Sequence, residues 1–295
     1  MTRRLLAVHA HPDDESSKGA ATYARYASQG DDVLVVSCTG GELGDVQNPA
    51  LEPMAMAMAE RDMAGLRRYE MRKAQQLMGI EHLWLGFRDS GLPEDGDPVD
   101  PGGFALIPLE LSAAPLVRII RRFRPHVLVT YDESGGYPHP DHIRTHEISM
   151  FALEAAADAE RYPELGEPWQ VQKVYYDRIF NAPRIRAVHE SLVEDADPLA
   201  TEVAEMLEWM GDRPDLATTH IDVSDFLDVR DAALRAHASQ VPPDSRFFFL
   251  PNDTLRAAWP WEDFQLVRST VAATLPESDL FAGITPDDAL PEDAR

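Results

Sequence analysis

Residues 4–15 read RLLAVHAHPDDE, and the interpretation of this stretch decides the fold. An apolar run, Arg4–His9, begins almost at the first residue. It breaks at once into a turn that crowds His9, His11, Asp13, Asp14 and Glu15 together. Such a run, short and bounded by charge, predicts a strand. Beyond the turn, Ala20, Tyr23, Ala24 and Ala27 mark one helical face within Ser17–Gln29, and Gly30 ends it. Val33–Cys38 (VLVVSC) is a second apolar run, long enough for a strand buried on both faces.

The same alternation continues. A helix is expected to run to Met78, with Gly79 ending it, and HLWLG (His82–Gly86) reads as a third strand. Leu116, Ile119, Ile120 and Phe123 share a helical face that puts Pro115 in that helix's first turn, where its missing N–H is tolerated. HVLVTY (His126–Tyr131) is a fourth strand, and Ile148, Phe151, Ala152 and Ala155 mark the next helix. Near-continuous apolar strands alternating with helices predict a Rossmann-like, doubly wound α/β fold, with a mainly parallel sheet covered on both faces and additional C-terminal elements. Val171–Tyr176 reads as a strand, Leu199–Met210 and Phe226–Ala238 as helices. With no linker and no repeat, residues 1–284 are expected to form one domain, 1–160 carrying the Rossmann-like part and 161–284 the substrate-side elements. Residues 285–295 are expected to be a flexible tail.

Composition narrows the function classes. The 51 acidic residues against 27 basic ones give a formal net charge of −24, a field that disfavours nucleic acid and anionic membrane as partners. No G-x-G-x-x-G follows the first strand, so a dinucleotide site is not supported. The single cysteine, Cys38, lies in an apolar run and reads as a buried thiol. With no signal-like or membrane-spanning run, the expectation is a cytoplasmic protein.

Two clusters carry the chemistry. HAHPDDE follows the first strand, and GGYPHPDH (135–142) follows the fourth. Open α/β sheets bind ligands at the carboxyl ends of their strands, so neighbouring strands would bring the clusters over one crevice. Histidine nitrogen and carboxylate oxygen suit a divalent ion, and three such ligands leave a position open for catalysis. A divalent ion can lower a water's pKa from 15.7 to about 7 and polarise a carbonyl. Spare carboxylates and imidazoles then serve proton transfer and oxyanion stabilisation, the equipment of a metal-assisted hydrolase acting on an amide. Each cluster has a plainer reading: Asp13 or Asp14 as a helix cap, and His-Pro-Asp-His as a surface turn.

At these residues the sequence resembles the zinc-dependent de-N-acetylases related to N-acetylglucosaminyl-phosphatidylinositol deacetylase. VHAHPDDESSKGAAT, CTGGELGD, WLGFRDSGLP, RPHVLVTYDESGGYPHPDHIRTH, LRAHASQ and SDLFAGI look like the mycothiol S-conjugate amidases within that superfamily. The resemblance spans residues 4–284. It implies that His11, Asp14 and His142 bind the metal, zinc or alternatively ferrous iron. It further implies Asp13 as general base and His139 as stabiliser of the oxyanion or donor to the leaving amine. Asp141 would orient the His139 ring, and Tyr137 would help polarise the scissile carbonyl. His9 is expected to pack in the strand and Glu15 to support the ligands from behind.

Arg67 and Asp89 match residues that bind sugar and cyclitol hydroxyls, and Lys18 and Glu42 are further substrate candidates. The plainer readings are an Arg67–Glu70 helix pair and an exposed lysine in a first helical turn. The Met-rich stretch 53–63 could line a pocket for apolar S-substituents or simply start a helix with core methionines. The implied reaction is hydrolysis of the amide joining S-substituted N-acetylcysteine to glucosaminyl-inositol, with this small thiol-sugar conjugate as partner, in detoxification or in trimming of a natural-product adduct. The rivals are deacetylation of N-acetylglucosaminyl-inositol and a non-catalytic metal- or glycan-binding module.

Overall fold

In the computed structural model, residues 2–94, 97–211, 213–245 and 250–285 are described. Strand β1 (Arg4–His9) is buried along its whole length because it has neighbours on both edges and helices on both faces. It pairs in parallel with β2 (Asp32–Thr39) on one side and β4 (Val127–Thr130) on the other. β3 (Glu81–Phe87) continues the parallel sheet beyond β2, and β5 (Lys173–Asp177) continues it beyond β4. β7 (Trp261–Ser269) then runs antiparallel to β5, with β6 (Thr219–Asp222) at the edge, giving the order β3-β2-β1-β4-β5-β7-β6.

Alternate side chains of each strand enter opposite cores. Leu5, Ala7, Val33, Val35, Val127 and Val129 pack against α2 (Ala20–Ser28), α3 (Pro53–Met78), α6 (Ala182–Glu194) and α8 (Leu227–Ala236). Leu6, Val8, Leu34, Val36 and Leu128 pack against α4 (Leu109–Phe123) and α5 (Pro140–Ala157). Helices on both faces of a mainly parallel sheet make this the doubly wound α/β fold that the strand pattern implies. The expected flexible tail falls, apart from Thr285, outside the described residues.

Several local expectations change. The helix expected over 17–29 is two, a single turn α1 (Asp14–Ser17) and then α2, separated by Lys18 and Gly19. α4 starts earlier than its periodicity suggests, so Pro115 lies inside it rather than in the first turn. Leu109 and Ala113 extend the apolar stripe, and their burial outweighs the hydrogen bond that Pro115 cannot make. The Met-rich stretch opens α3, where Met56, Met58 and Met63 pack around Leu51, Ala59 and Leu66 while Met54 stays exposed.

The segment after β7 is clamped to the sheet by buried charge. Lys173 Nζ donates to Glu277 Oε1 at 2.6 Å, and Tyr175 Oη donates to Glu277 Oε2 at 2.7 Å. Removing one member of such a pair strands its partner away from water. Glu277→Ala is therefore expected to lower unfolding stability by about 3–5 kcal/mol, read from the urea midpoint at unchanged slope. A loss under 1 kcal/mol would show that the clamp is not formed.

Candidate metal centre

The end of β1 turns sharply. Asp13 takes φ 114°, a left-handed conformation uncommon for a residue with a side chain, and its carbonyl accepts from the amides of Ser16 and Ser17 at 3.0 Å each. This turn points Asp14 back over the strand end, where Oδ2 accepts from the His11 amide at 2.9 Å. The same oxygen lies 3.6 Å from His11 Nδ1 and 3.4 Å from His142 Nε2. Its other oxygen, Oδ1, accepts from Lys18 Nζ at 2.5 Å.

The second loop arrives from β4. His142 Nδ1 donates to the Gly135 carbonyl at 2.9 Å, which fixes the tautomer and leaves Nε2 with a lone pair. That Nε2 is buried and has no hydrogen-bond partner among the described residues. Tyr131 stacks on the His142 ring with centroids 4.5 Å apart and planes 9° from parallel. Gly135 is required here: a Cβ would sit 2.6 Å from the Cβ of His142, and the residue's φ is +74°.

Among the described residues, two sets of three are close enough to hold an ion: His11, Asp14 and His142, and His11, His139 and Asp141. The first set fits a tetrahedral site well. Bonds of 2.0–2.2 Å imply ligand separations of roughly 3.3–3.6 Å, matching the 3.4 and 3.6 Å found at Asp14 Oδ2. The orphaned His142 Nε2 is a ligand atom with nothing else to do. Burial holds His142 well below its ordinary pKa, so it is neutral as a ligand must be. Burial opposes ionisation of Asp14, yet His142 and Lys18 hold its carboxyl well below the usual range. With His142 neutral, the charges beside Asp14 are the Lys18 ammonium and the His11 ring.

The other expected residues surround this centre, some with different partners. Asp141 meets the His139 ring through its backbone amide, while its carboxylate turns to other partners. Its Oδ2 accepts from the Ser90 amide at 3.0 Å and lies 3.3 Å from His11 Nε2. His139 is instead held by the backbone: as N-cap of α5, its Nδ1 accepts from the Asp141 amide at 3.1 Å. The cause is local, because the helix begins at Pro140 and turns the Asp141 side chain inward toward β1. Burial and the neighbouring His11 hold His139 down at about 4, leaving a neutral ring whose only N–H is on Nε2. Burial of His11 is outweighed by Asp141 and Asp89, which push it up to about 10.

Asp89 is buried, with Oδ1 accepting from Gly91 N at 2.8 Å and Oδ2 from Leu43 N at 3.1 Å. Glu42 Oε1 accepts from the Asp89 amide at 3.0 Å. Arg67 is buried beneath the metal turn and makes no helix pair with Glu70. Its Nη2 donates to the Pro12 carbonyl at 2.5 Å and to Asp13 Oδ2 at 3.0 Å, and Nη1 donates to the Gly41 carbonyl at 2.9 Å. Lys18 is neither exposed nor in a first helical turn. Burial raises the Asp13 carboxyl above its ordinary value against the pull of Arg67. Tyr137 is partly exposed with its ring 4.5 Å from that of His142, and burial keeps its hydroxyl protonated. His9 packs between Tyr131 and Tyr23, and burial pushes it down to about 4.

Comparisons to known proteins show the family. The family model for GlcNAc-PI de-N-acetylase (PIG-L) matches residues 6–153. The chain belongs to that family, and with this site it is a metal-dependent hydrolase of the amidase and deacetylase class. It is 50% identical to the mycothiol S-conjugate amidase of Streptomyces coelicolor, over 95% of this chain and 97% of that one. It is 38% identical to the 1D-myo-inositol 2-acetamido-2-deoxy-alpha-D-glucopyranoside deacetylase of Streptomyces avermitilis, over 96% and 98%. The N,N'-diacetylchitobiose deacetylase of Pyrococcus horikoshii shares the fold at a TM-score of 0.60 and 18% identity, covering 90% of this chain and 84% of that one.

The Asp141 contact generates a prediction. A carboxylate on the far nitrogen of a ligating histidine orients the ring and raises its basicity. Asp141→Asn is expected to weaken zinc binding about 10–100-fold in chelator competition. Unchanged affinity would mean that Asp141 does not act on His11.

Proposed function

We propose that the chain hydrolyses the amide between S-substituted N-acetylcysteine and glucosaminyl-inositol in mycothiol S-conjugates, releasing a mercapturate-type acid and the free amino sugar. The observation that carries this reading is the 50% identity to the Streptomyces coelicolor amidase across nearly the full length of both chains. The cytoplasm is the proposed location, and no helix among the described residues is long and apolar enough to cross a membrane. A second reading, N-acetylglucosaminyl-inositol deacetylation, is favoured by the 38–43% identity to curated deacetylases of similar length.

His11, Asp14 and His142 are the proposed ligands and zinc the proposed ion, with ferrous iron the alternative that the same two imidazoles and one carboxylate suit. When bound, it supplies Lewis acidity to water and to the scissile carbonyl. Asp13 accepts the proton of the attacking water. Arg67 holds its Oδ2, and Oδ1 has no hydrogen bond among the described residues. A raised carboxyl pKa suits a base that must later give its proton to the departing amine. His139 Nε2–H and the Tyr137 hydroxyl are donors for the carbonyl oxygen as it gains charge. The water oxygen bonds to the carbonyl carbon, the C–N bond breaks, and the proton carried by Asp13 ends on nitrogen.

Lys18 and Asp89 are already engaged by protein groups, Lys18 gripping Asp14 and Asp89 enclosed by Leu43, Gly91 and His11. Glu42 is half-buried, more open than Asp89, and is retained as a hydroxyl contact.

Zinc-loaded protein should release amine faster from an S-alkylated mycothiol than from N-acetylglucosaminyl-inositol, measured side by side. A preference for the acetylated sugar would replace this reading with the deacetylase one, and silence on both would reject both. In the same assay Asp13→Asn is expected to keep its zinc and lose about 10²–10⁴-fold in kcat. Loss of zinc from that variant would place Asp13 among the ligands instead.

A further inference from the structure

The left-handed backbone of Asp13 is a strained conformation that persists only where its surroundings enforce it. Arg67 fixes its carboxylate from one side. The other side is held by a pair of residues from opposite ends of the chain. The Asp13 amide donates to Glu15 Oε2 at 2.9 Å, and Glu15 Oε1 lies 2.8 Å from His237 Nε2. Glu15 and His237 are both fully buried. Ser16 Oγ donates to the same Glu15 Oε1 at 2.5 Å.

His237 sits at the C-terminal cap of α8, in the LRAHASQ stretch. Its loop is itself anchored. Glu70 of α3 accepts from the amide and the hydroxyl of Ser239, both at 2.7 Å. The helix that sends Arg67 to Asp13 thus also fixes the loop that carries His237. Both restraints on the catalytic turn share one rigid support.

We propose that His237 is a positioning residue for Asp13, acting through Glu15, an inference that rests on Asp13 being the base. His237 sets the rotamer of Glu15, and Glu15 captures the Asp13 amide. That hydrogen bond keeps φ positive and the carboxylate aimed across the crevice. Without it the backbone of Asp13 relaxes to negative φ and the carboxylate swings away. Misplacement of a reacting group by about 1 Å is enough to lower turnover about 100-fold.

His237→Gln in the full-length zinc-loaded protein tests this, on whichever of the two amides the parent hydrolyses. The expected result is a fall in kcat of about 100-fold with KM within about twofold and zinc content unchanged. In an Asp13→Asn background the same substitution should alter the residual rate by less than about twofold, because a residue acting only through Asp13 has nothing left to act on. An unchanged kcat overturns the proposal. So does loss of zinc, or an equal fall in the Asp13→Asn background, either of which would mark a general structural role. The crystal structure of the variant gives a readout independent of substrate: Asp13 should relax to negative φ, and a retained positive φ overturns the proposal even if neither amide is a substrate. If His237→Gln does not fold, Glu15→Ala is judged by the same readouts.

Discussion

The parallel pairing of β1 with β4, Leu5 to Val127, Leu6 to Leu128 and Ala7 to Val129, is the constraint on which the rest of the site depends. The chain runs from β1 to β2 on one side of the sheet and reaches β4 only after crossing back, so the connections after β1 and β4 depart in opposite directions. Between them a crevice opens at the carboxyl ends of the strands, the position where open α/β sheets bind ligands. His11 and Asp14 come from one lip and His142 from the other, and they meet at a single oxygen, Asp14 Oδ2. A shift of register between these strands would separate them.

Gathering so many acids in a chain of net charge −24 creates an electrostatic problem that the site solves locally. The carboxylates of the site have basic neighbours: Asp13 has Arg67, Asp14 has Lys18, Glu15 has His237, and Asp141 and Asp89 share His11. An unpaired buried charge would be strongly destabilising, whereas paired charges in fixed positions also preorganise the centre. Burial alone would raise Glu15, but His237, Ser16 and the Asp13 amide hold it at about 2. The cysteine takes no part: Cys38 is buried, burial raises its thiol, and its polar contact is the Thr145 hydroxyl at 3.4 Å.

Much of this was legible in the sequence where the controlling interactions are local. β1, β2 and β4 are covered on both faces, so their apolar runs are nearly unbroken. The ligand motifs are compact because each occupies one strand-end turn. β7 was not legible because its WEDF start buries charge through distant partners. Glu262 accepts from the Thr22 amide, and Asp263 is met by His220, Asn181 and Trp259. α6 was missed although Asn181 caps it and Pro183 stands in its first turn, a start signal present in the sequence. The Asp141–His11 contact spans 130 positions and the Glu15–His237 contact 222, distances at which no spacing rule operates.

The account turns on which three side chains hold the ion, since His11 belongs to both possible sets. Anomalous diffraction at the zinc edge from crystals of the loaded protein decides this directly. One peak is expected about 2.0–2.2 Å from His11 Nδ1, Asp14 Oδ2 and His142 Nε2. A peak on His11 Nε2, His139 and Asp141, with His142 Nε2 left bare, would contradict it.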